Sequence, residues 1–250
     1  MIQEKTIVVI AGTTESRAVI EQLLQDKEPK KIIATTATAL GTQMLKEYGI
    51  EVREGKLTEV GFQQLFQEIK PSEVIDASHP FAVIVTKTVQ GVCKTMKIPY
   101  KRIEREVSQY EYEKLIRVAN IEEAIGYLNQ EFLEETILLT TGSNTLKQYV
   151  EEVVRGQERI YARVLDCEYS RGVCKNVPLD PTHIFYQNPP FSQEDTRRAI
   201  VENGCTVMVT KDSGKTGGVD QKIEVAKQLG TFVILIERPR EEQEEKGGSK

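Results

Sequence analysis

The chain has 250 residues, 39% of them hydrophobic and 28% charged, a balance that supports a buried core and argues against disorder. Its formal net charge of -5 argues against a nucleic-acid partner, because non-specific binding to nucleic acid rests on a basic face. No stretch approaches the roughly 20 apolar residues of a membrane span, and the opening MIQEKTIVVIAGTT runs directly into a strand pattern instead of a secretory leader, so a cytoplasmic protein without a membrane partner is expected.

Short apolar runs alternate with segments of helical period, the pattern of parallel strands joined by crossover helices. The first run, Ile7 to Ile10, meets Ala11-Gly12-Thr13-Thr14 and then a helix with Val19, Ile20, Leu23 and Leu24 on one face. Strands follow at Ile32 to Thr35 and Ile50 to Val52. Phe62, Leu65, Phe66 and Ile69 fall at i, i+3, i+4 and i+7, which predicts an amphipathic helix from Thr58 to Ile69. Val74 to Ala77 reads as a strand, Val85 to Met96 as a helix and Pro99 to Ile103 as a strand, completing one doubly wound unit over 1–103.

The highly charged segment from Glu104 to Asn120 lacks clean periodicity and reads as a linker or irregular edge. A second α/β domain is expected over 104–240, with strands at Ile137 to Thr140, Arg159 to Leu165, Ile184 to Tyr186, Val207 to Thr210 and Phe232 to Ile236. Its helices are expected from Asn144, from Ser192 and up to Leu229. Ser192 and Asp195 have the spacing of a capping box with Asp in place of Glu. The tail over 241–250 is expected to be disordered. The fold class is therefore α/β: two Rossmann-like domains of the same element order, mainly parallel sheets, and a ligand cleft between them.

Four cysteines, Cys93, Cys167, Cys174 and Cys205, form no CxxC pair, and only two histidines are available to join them, so reduced structural thiols and no metal site are expected.

The turn Gly12-Thr13-Thr14-Glu15-Ser16 joins a strand to a helix N-terminus, where backbone N–H groups and the helix dipole attract phosphate. The three-glycine dinucleotide fingerprint is absent, and the glycine also has a purely local reading as a turn former. After the second strand, Thr35-Thr36-Ala37-Thr38 offers no carboxylate for a ribose 2′-hydroxyl, which points to NADPH over NADH if a dinucleotide binds. His79 stands just past a strand end in Asp76-Ala77-Ser78-His79-Pro80, as a capping group or a site residue.

In the second half, Thr141, Gly142, Ser143 and Asn144 repeat the strand-turn-helix chemistry and either hold an anion or cap the helix. Lys211-Asp212-Ser213-Gly214-Lys215-Thr216-Gly217-Gly218 combines cations with glycines after a strand, a loop with freedom to close over a ligand. The spacing of a phosphate-binding P-loop fails there, since the residue six before Lys215 is Val209.

Together AGTTES (11–16), TTATALG (35–41), DASHPFA (76–82), TTGSN (140–144), ARVL (162–165), TKDSGKTGG (210–218) and ERP (237–239) resemble the precorrin-6A reductase family, including its cobalt-precorrin-6A members. Ala11, Asn188-Pro189-Pro190-Phe191 and Asp220-Gln221-Lys222 depart from the usual family pattern. The resemblance implies NADPH as cofactor and hydride delivery to C19 of an anionic tetrapyrrole, reducing precorrin-6A or its cobalt form to the 6B form in cobalamin biosynthesis. It extends the cofactor contacts to Asp76, His79 and Pro80 and makes Lys211 and His79 the candidate catalytic residues. The substrate set it implies is Thr141, Gly142, Ser143, Asn144, Arg163, Phe191, Lys211, Ser213, Gly214, Lys215, Gly217, Gly218 and Lys222. A non-catalytic NADP-binding regulatory module is the alternative, since fold alone does not separate the two. A monomer or weak homo-oligomer is expected.

Overall fold

A computed structural model describes residues 5–104, 109–214 and 217–239; the expected disordered tail over 241–250 lies outside them, as does Lys215. The chain divides into two compact units, Met1–Glu106 and Val107–Lys250.

The first unit is a five-stranded parallel sheet in the order β3-β2-β1-β4-β5: β1 (Lys5–Ile10), β2 (Lys30–Thr36), β3 (Glu51–Glu54), β4 (Glu73–Asp76) and β5 (Tyr100–Arg102). The crossovers are α1 (Thr14–Leu24), α2 (Ala39–Lys46), α3 (Glu59–Ile69) and α4 (Val83–Met96). Side chains of a strand alternate between faces, so β1 serves two cores. Ile7 and Val9 pack with Ile20 and Leu45 under α1 and α2, whereas Val8 and Ile10 pack with Phe62, Phe66, Val89 and Val92 under α3 and α4. The helix read from Phe62, Leu65 and Phe66 is present and all three are buried. Helix α2 was not legible, because its inward residues are only Thr42 and Leu45. It sits close to the sheet because residue 41 is glycine; a Cβ there would overlap Thr36 Oγ1.

The second unit is a six-stranded parallel sheet in the order β6-β11-β10-β7-β8-β9. Its strands are β6 (Leu115–Val118), β7 (Ile137–Leu139), β8 (Ile160–Val164), β9 (Ile184–Tyr186), β10 (Val207–Lys211) and β11 (Phe232–Ile236). Its helices are α5 (Ile121–Glu131), α6 (Leu146–Glu152), α7 (Gly156–Arg159), α8 (Glu168–Cys174), α9 (Gln193–Glu202) and α10 (Val219–Leu229). The Ser192–Asp195 capping box forms in both directions: the Ser192 hydroxyl accepts from the Asp195 amide (3.1 Å) and the Asp195 carboxylate accepts from the Ser192 amide (2.9 Å).

The segment read as a linker or irregular edge holds an edge strand, β6, paired with β11; four residues are too few to show alternation above the surrounding charge. Both halves alternate strands and helices along the chain, yet their strand orders in the sheet differ, because β10 and β11 stand between β6 and β7, and that order depends on pairing that local pattern does not encode.

Both sheets have a switch point, where successive connections leave in opposite directions and open a crevice at the strands' carboxyl ends. In the first it lies between β1 and β4, and in the second between β7 and β10.

Among the described residues no helix is long and apolar enough to cross a membrane, and no group of His, Cys, Asp and Glu has the arrangement of a metal site. All four cysteines are free thiols, three of them buried. Burial pushes Cys93 up to about 11 and Cys205 up to about 12.

Candidate functional site

At the first switch point, β1 ends at Ile10 and the chain turns at Gly12, whose φ of 121° is a conformation side-chain-bearing residues rarely adopt. Thr13 caps α1: its hydroxyl accepts from the Ser16 amide (3.1 Å) and donates to Ala77 O (2.7 Å), so the turn is tied to the end of β4. Ser16 is fully buried, accepting from the Gly12 and Thr13 amides at 3.2 Å, so it shapes the turn from beneath. Gly12 and Thr14 are exposed, and Thr13 and Glu15 partly so. A Cβ at Gly12 would meet nothing within 4 Å, which leaves open space over the turn.

The β4 side is fixed by charge. Asp76 is completely buried, with Oδ1 2.7 Å from Arg102 Nη1 and accepting from the Ser78 amide (2.9 Å), while Oδ2 accepts from the Tyr100 hydroxyl (3.0 Å). Arg102 also donates to Ser78 Oγ at 2.8 Å. Asp76 thus holds the backbone from which His79 and Pro80 emerge, both half-buried. His79 Nδ1 accepts from the Phe81 amide (3.2 Å), so the imidazole shapes the entry to α4. At the end of β2, Thr36 is buried and Ala37 exposed. Thr38 caps α2 by accepting from the Gly41 amide (3.1 Å).

The second switch point brings the other predicted residues, Lys215 apart since it lies outside the described residues, to one end of one sheet. After β7, the Thr140 amide donates to Val209 O (2.9 Å), which ties the turn to β10. Thr141 and Ser143 are buried and Gly142 and Asn144 exposed. Thr141 Oγ1 accepts from the Thr145 hydroxyl (3.0 Å), Ser143 donates to Ser170 Oγ (3.3 Å), and Asn144 Oδ1 accepts from the Tyr169 hydroxyl (2.8 Å). Instead of entering an α-helix at Asn144, the chain makes a 3-10 turn over Ser143–Thr145 before α6.

Lys211 ends β10 half-buried, and burial lowers its pKa. The described start of the loop beyond it is anchored, with Asp212, Ser213 and Gly214 buried, while Lys215 and Thr216 of the segment expected to close lie outside the described residues. Arg238 donates to Asp212 O at 3.0 Å and pairs with its carboxylate at 3.5 Å. The Asp212 carboxylate accepts from the Gly214 amide (3.2 Å). Gly217 and Gly218 lead into α10 half-buried, Gly218 with φ of 71°.

Two more cations lie deeper. Arg163, from β8, is 5% exposed; Nη1 donates to Thr196 Oγ1 (3.1 Å), its guanidinium carbon lies 4.7 Å from the centre of the Phe191 ring, and Nη2 has no hydrogen-bond partner. Lys222, from α10, is 8% exposed and donates to Thr210 Oγ1 at 3.3 Å. Burial, with Arg163 nearby, pushes Lys222 down to about 7, and burial brings Arg163 down to about 10. Among the described residues no carboxylate lies within ion-pair distance of either.

Sequence reasoning missed Arg102, Arg238, Thr196 and Thr210, which hold the groups it named. Arg238 and Thr210 carried a signal, as parts of the ERP and TKDSGKTGG motifs; Arg102 and Thr196 lie in segments whose partners are distant in sequence.

A family model described as Precorrin-6x reductase CbiJ/CobK matches residues 6–249. The chain is 34% identical to a cobalt-precorrin-6A reductase of Priestia megaterium, over 94% of this chain and 91% of that one. It is 30% identical to a cobalt-precorrin-6A reductase of Methanothermobacter thermautotrophicus, over 95% and 78%. Among solved structures it is similar to "CobK precorrin-6A reductase", with a TM-score of 0.71 at 21% identity, covering 94% of this chain and 89% of that one.

Proposed function

The chain belongs to the precorrin-6x reductase family, and from that premise we propose that it reduces a precorrin-6A type tetrapyrrole, with or without cobalt, to the 6B form using NADPH. The observation that carries this reading beyond the family is the pair of buried cations Arg163 and Lys222, which lack a carboxylate partner among the described residues and match the acetate and propionate groups at a tetrapyrrole's edge. Burying charge without an opposite charge is costly, and an incoming anion offsets that cost.

The first unit fits a dinucleotide. Gly12 leaves open space over the turn, the α1 N-terminus faces it, and no carboxylate stands at the end of β2 among Thr35, Thr36, Ala37 and Thr38. Gly12, Thr13, Thr14, Glu15, Thr36, Ala37, His79 and Pro80 would hold it, with Ser16 and Asp76 as positioning residues beneath. NADPH, when bound, supplies the hydride. The chain's residues orient the reactants and supply electrostatics. In the second unit, Arg163, Phe191 and Lys222 would hold the macrocycle edge together with the Thr141–Asn144 turn and Ser213, Gly214, Gly217 and Gly218. Lys211, a partly desolvated cation at a carboxyl end, either pairs with a peripheral carboxylate or supplies the proton that balances the hydride.

Anaerobic incubation with precorrin-6A or cobalt-precorrin-6A tests the reading. NADPH absorbance is expected to fall in step with the tetrapyrrole, and faster than with NADH. Unchanged nicotinamide absorbance with both tetrapyrroles would leave only a binding module.

Gly12→Ala separates the turn from the cofactor. With φ at 121° it is expected to cost about 1–3 kcal/mol of stability from backbone strain. NADPH affinity of the folded fraction, measured by calorimetry, is expected to fall by more than tenfold, because the new methyl occupies the space over the turn. Unchanged affinity would reduce the glycine to a turn former.

A further inference from the structure

We propose that Arg163 and Lys222 form a desolvated carboxylate site, and that a substrate carboxylate entering it brings a solvent proton onto Lys222. The inference rests on the tetrapyrrole reading and adds to it which group the substrate presents and how its binding depends on pH.

The geometry is that of a half-built ion pair. Arg163 Nη1 is committed to Thr196 and its face to Phe191, which leaves the buried Nη2 aimed at no acceptor. A guanidinium presents its N–H groups as a planar fork suited to a carboxylate. Lys222 reaches only a neutral hydroxyl, that of Thr210. Unpaired buried ammonium groups tend to release their proton, and Lys222 is pushed down to about 7. A carboxylate between the two would complete both donors and draw the amine back to its charged form.

Among the described residues the surroundings leave no internal group to do this. From α9, Asp195 favours the charged form of Arg163, but its oxygens are taken by Ser192 and Arg198. From β10, Lys211 follows Thr210 and so belongs to the other face of the sheet by strand alternation. From β11, Phe232–Ile236 contribute only apolar side chains. On α10 itself, Asp220 stands two residues before Lys222, off the line of its side chain, with Oδ1 buried and without a partner.

Calorimetry of the full chain with precorrin-6A at pH 8, without NADPH so that no turnover occurs, tests this in two buffers of different ionisation enthalpy. Wild-type protein is expected to take up close to one proton per macrocycle bound and Lys222→Met none. Arg163→Met is expected to bind at least tenfold more weakly while melting no lower than wild type. Tight wild-type binding without proton uptake, or equal uptake by Lys222→Met, overturns the proposal and leaves the reductase reading standing. If the macrocycle does not bind at all, the reductase reading fails and acetate decides for the site. A rise in melting temperature with acetate at pH 7 that is lost in both variants supports it, and an equal rise in all three proteins overturns it.

Discussion

Arg102→Met is expected to destabilise the protein by about 3–5 kcal/mol, the range for breaking a buried ion pair by removing one partner. Asp76 has no exposure at all, and its contact with Arg102 Nη1 is 2.7 Å. Without the guanidinium, a full negative charge would remain buried with only the Tyr100 hydroxyl and the Ser78 amide as donors. The loss should also reach the first switch point. Asp76 fixes the Ser78 amide, and the adjoining Ala77 O receives the Thr13 hydroxyl, so NADPH affinity is expected to fall although Arg102 belongs to β5 and not to the turn. Urea denaturation gives the stability change, and the double variant Asp76→Leu/Arg102→Met provides the control. Replacing a buried pair by apolar groups is often nearly neutral, so the double variant should recover much of the loss. A single-variant loss below about 1 kcal/mol, the value typical of exposed pairs, would contradict a buried pair.

Lys222→Met is expected to act in the opposite direction and stabilise the protein. The sign follows from proton binding. In the unfolded chain the amine titrates near 10.4, and in the folded chain burial pushes it down to about 7. Between those values the unfolded state binds more protons, so wild-type stability rises with pH across that window and is lowest below it. A tenfold loss of proton affinity on folding corresponds to about 1.4 kcal/mol, so methionine should gain on the order of a few kcal/mol at pH 7. The gain should shrink towards pH 10, where the folded amine is neutral and the unfolded one has begun to lose its proton, and vanish above that. Denaturation midpoints at the two pH values measure it. A gain that does not change with pH would mean that Lys222 is not a desolvated amine. Stabilisation with loss of substrate binding is the behaviour of a residue kept for function at a cost to the fold.

Much of this was legible in the sequence, for a definite reason. Strand positions in a parallel sheet are near-continuous apolar runs, and helices that cover it show an apolar stripe. Ile7–Ile10 and the Phe62–Ile69 helix therefore announced themselves, and so did the carboxyl-end positions of Gly12, Thr141 and Lys211, which follow directly from strand ends. The Ser192–Asp195 box was readable because a capping box lies within four consecutive residues. Helix α5 was equally open to reading, since Ile121, Ala124, Ile125 and Leu128 have helical spacing behind Asn120, whose side chain accepts from the Glu123 amide. Helix α2 was not, because only Thr42 and Leu45 of its residues turn inward, and strand β6, although three of its four residues are apolar, is too short to stand out from the charged segment around it.

Tertiary structure alone decided strand order, burial and pairing. Lysine and arginine are solvated by default, and nothing local distinguishes Lys222 or Arg163 from a surface cation; their state depends on packing by Phe191, Thr196 and Thr210, residues 12 to 33 positions away. Likewise Asp76 looks like a ligand-facing residue at a strand end until Arg102 and Tyr100, brought alongside by β5, claim its carboxylate. Local periodicity sets which residues face a core, but the free energy of a charge depends on what the fold places against it, and that is settled only when distant segments meet.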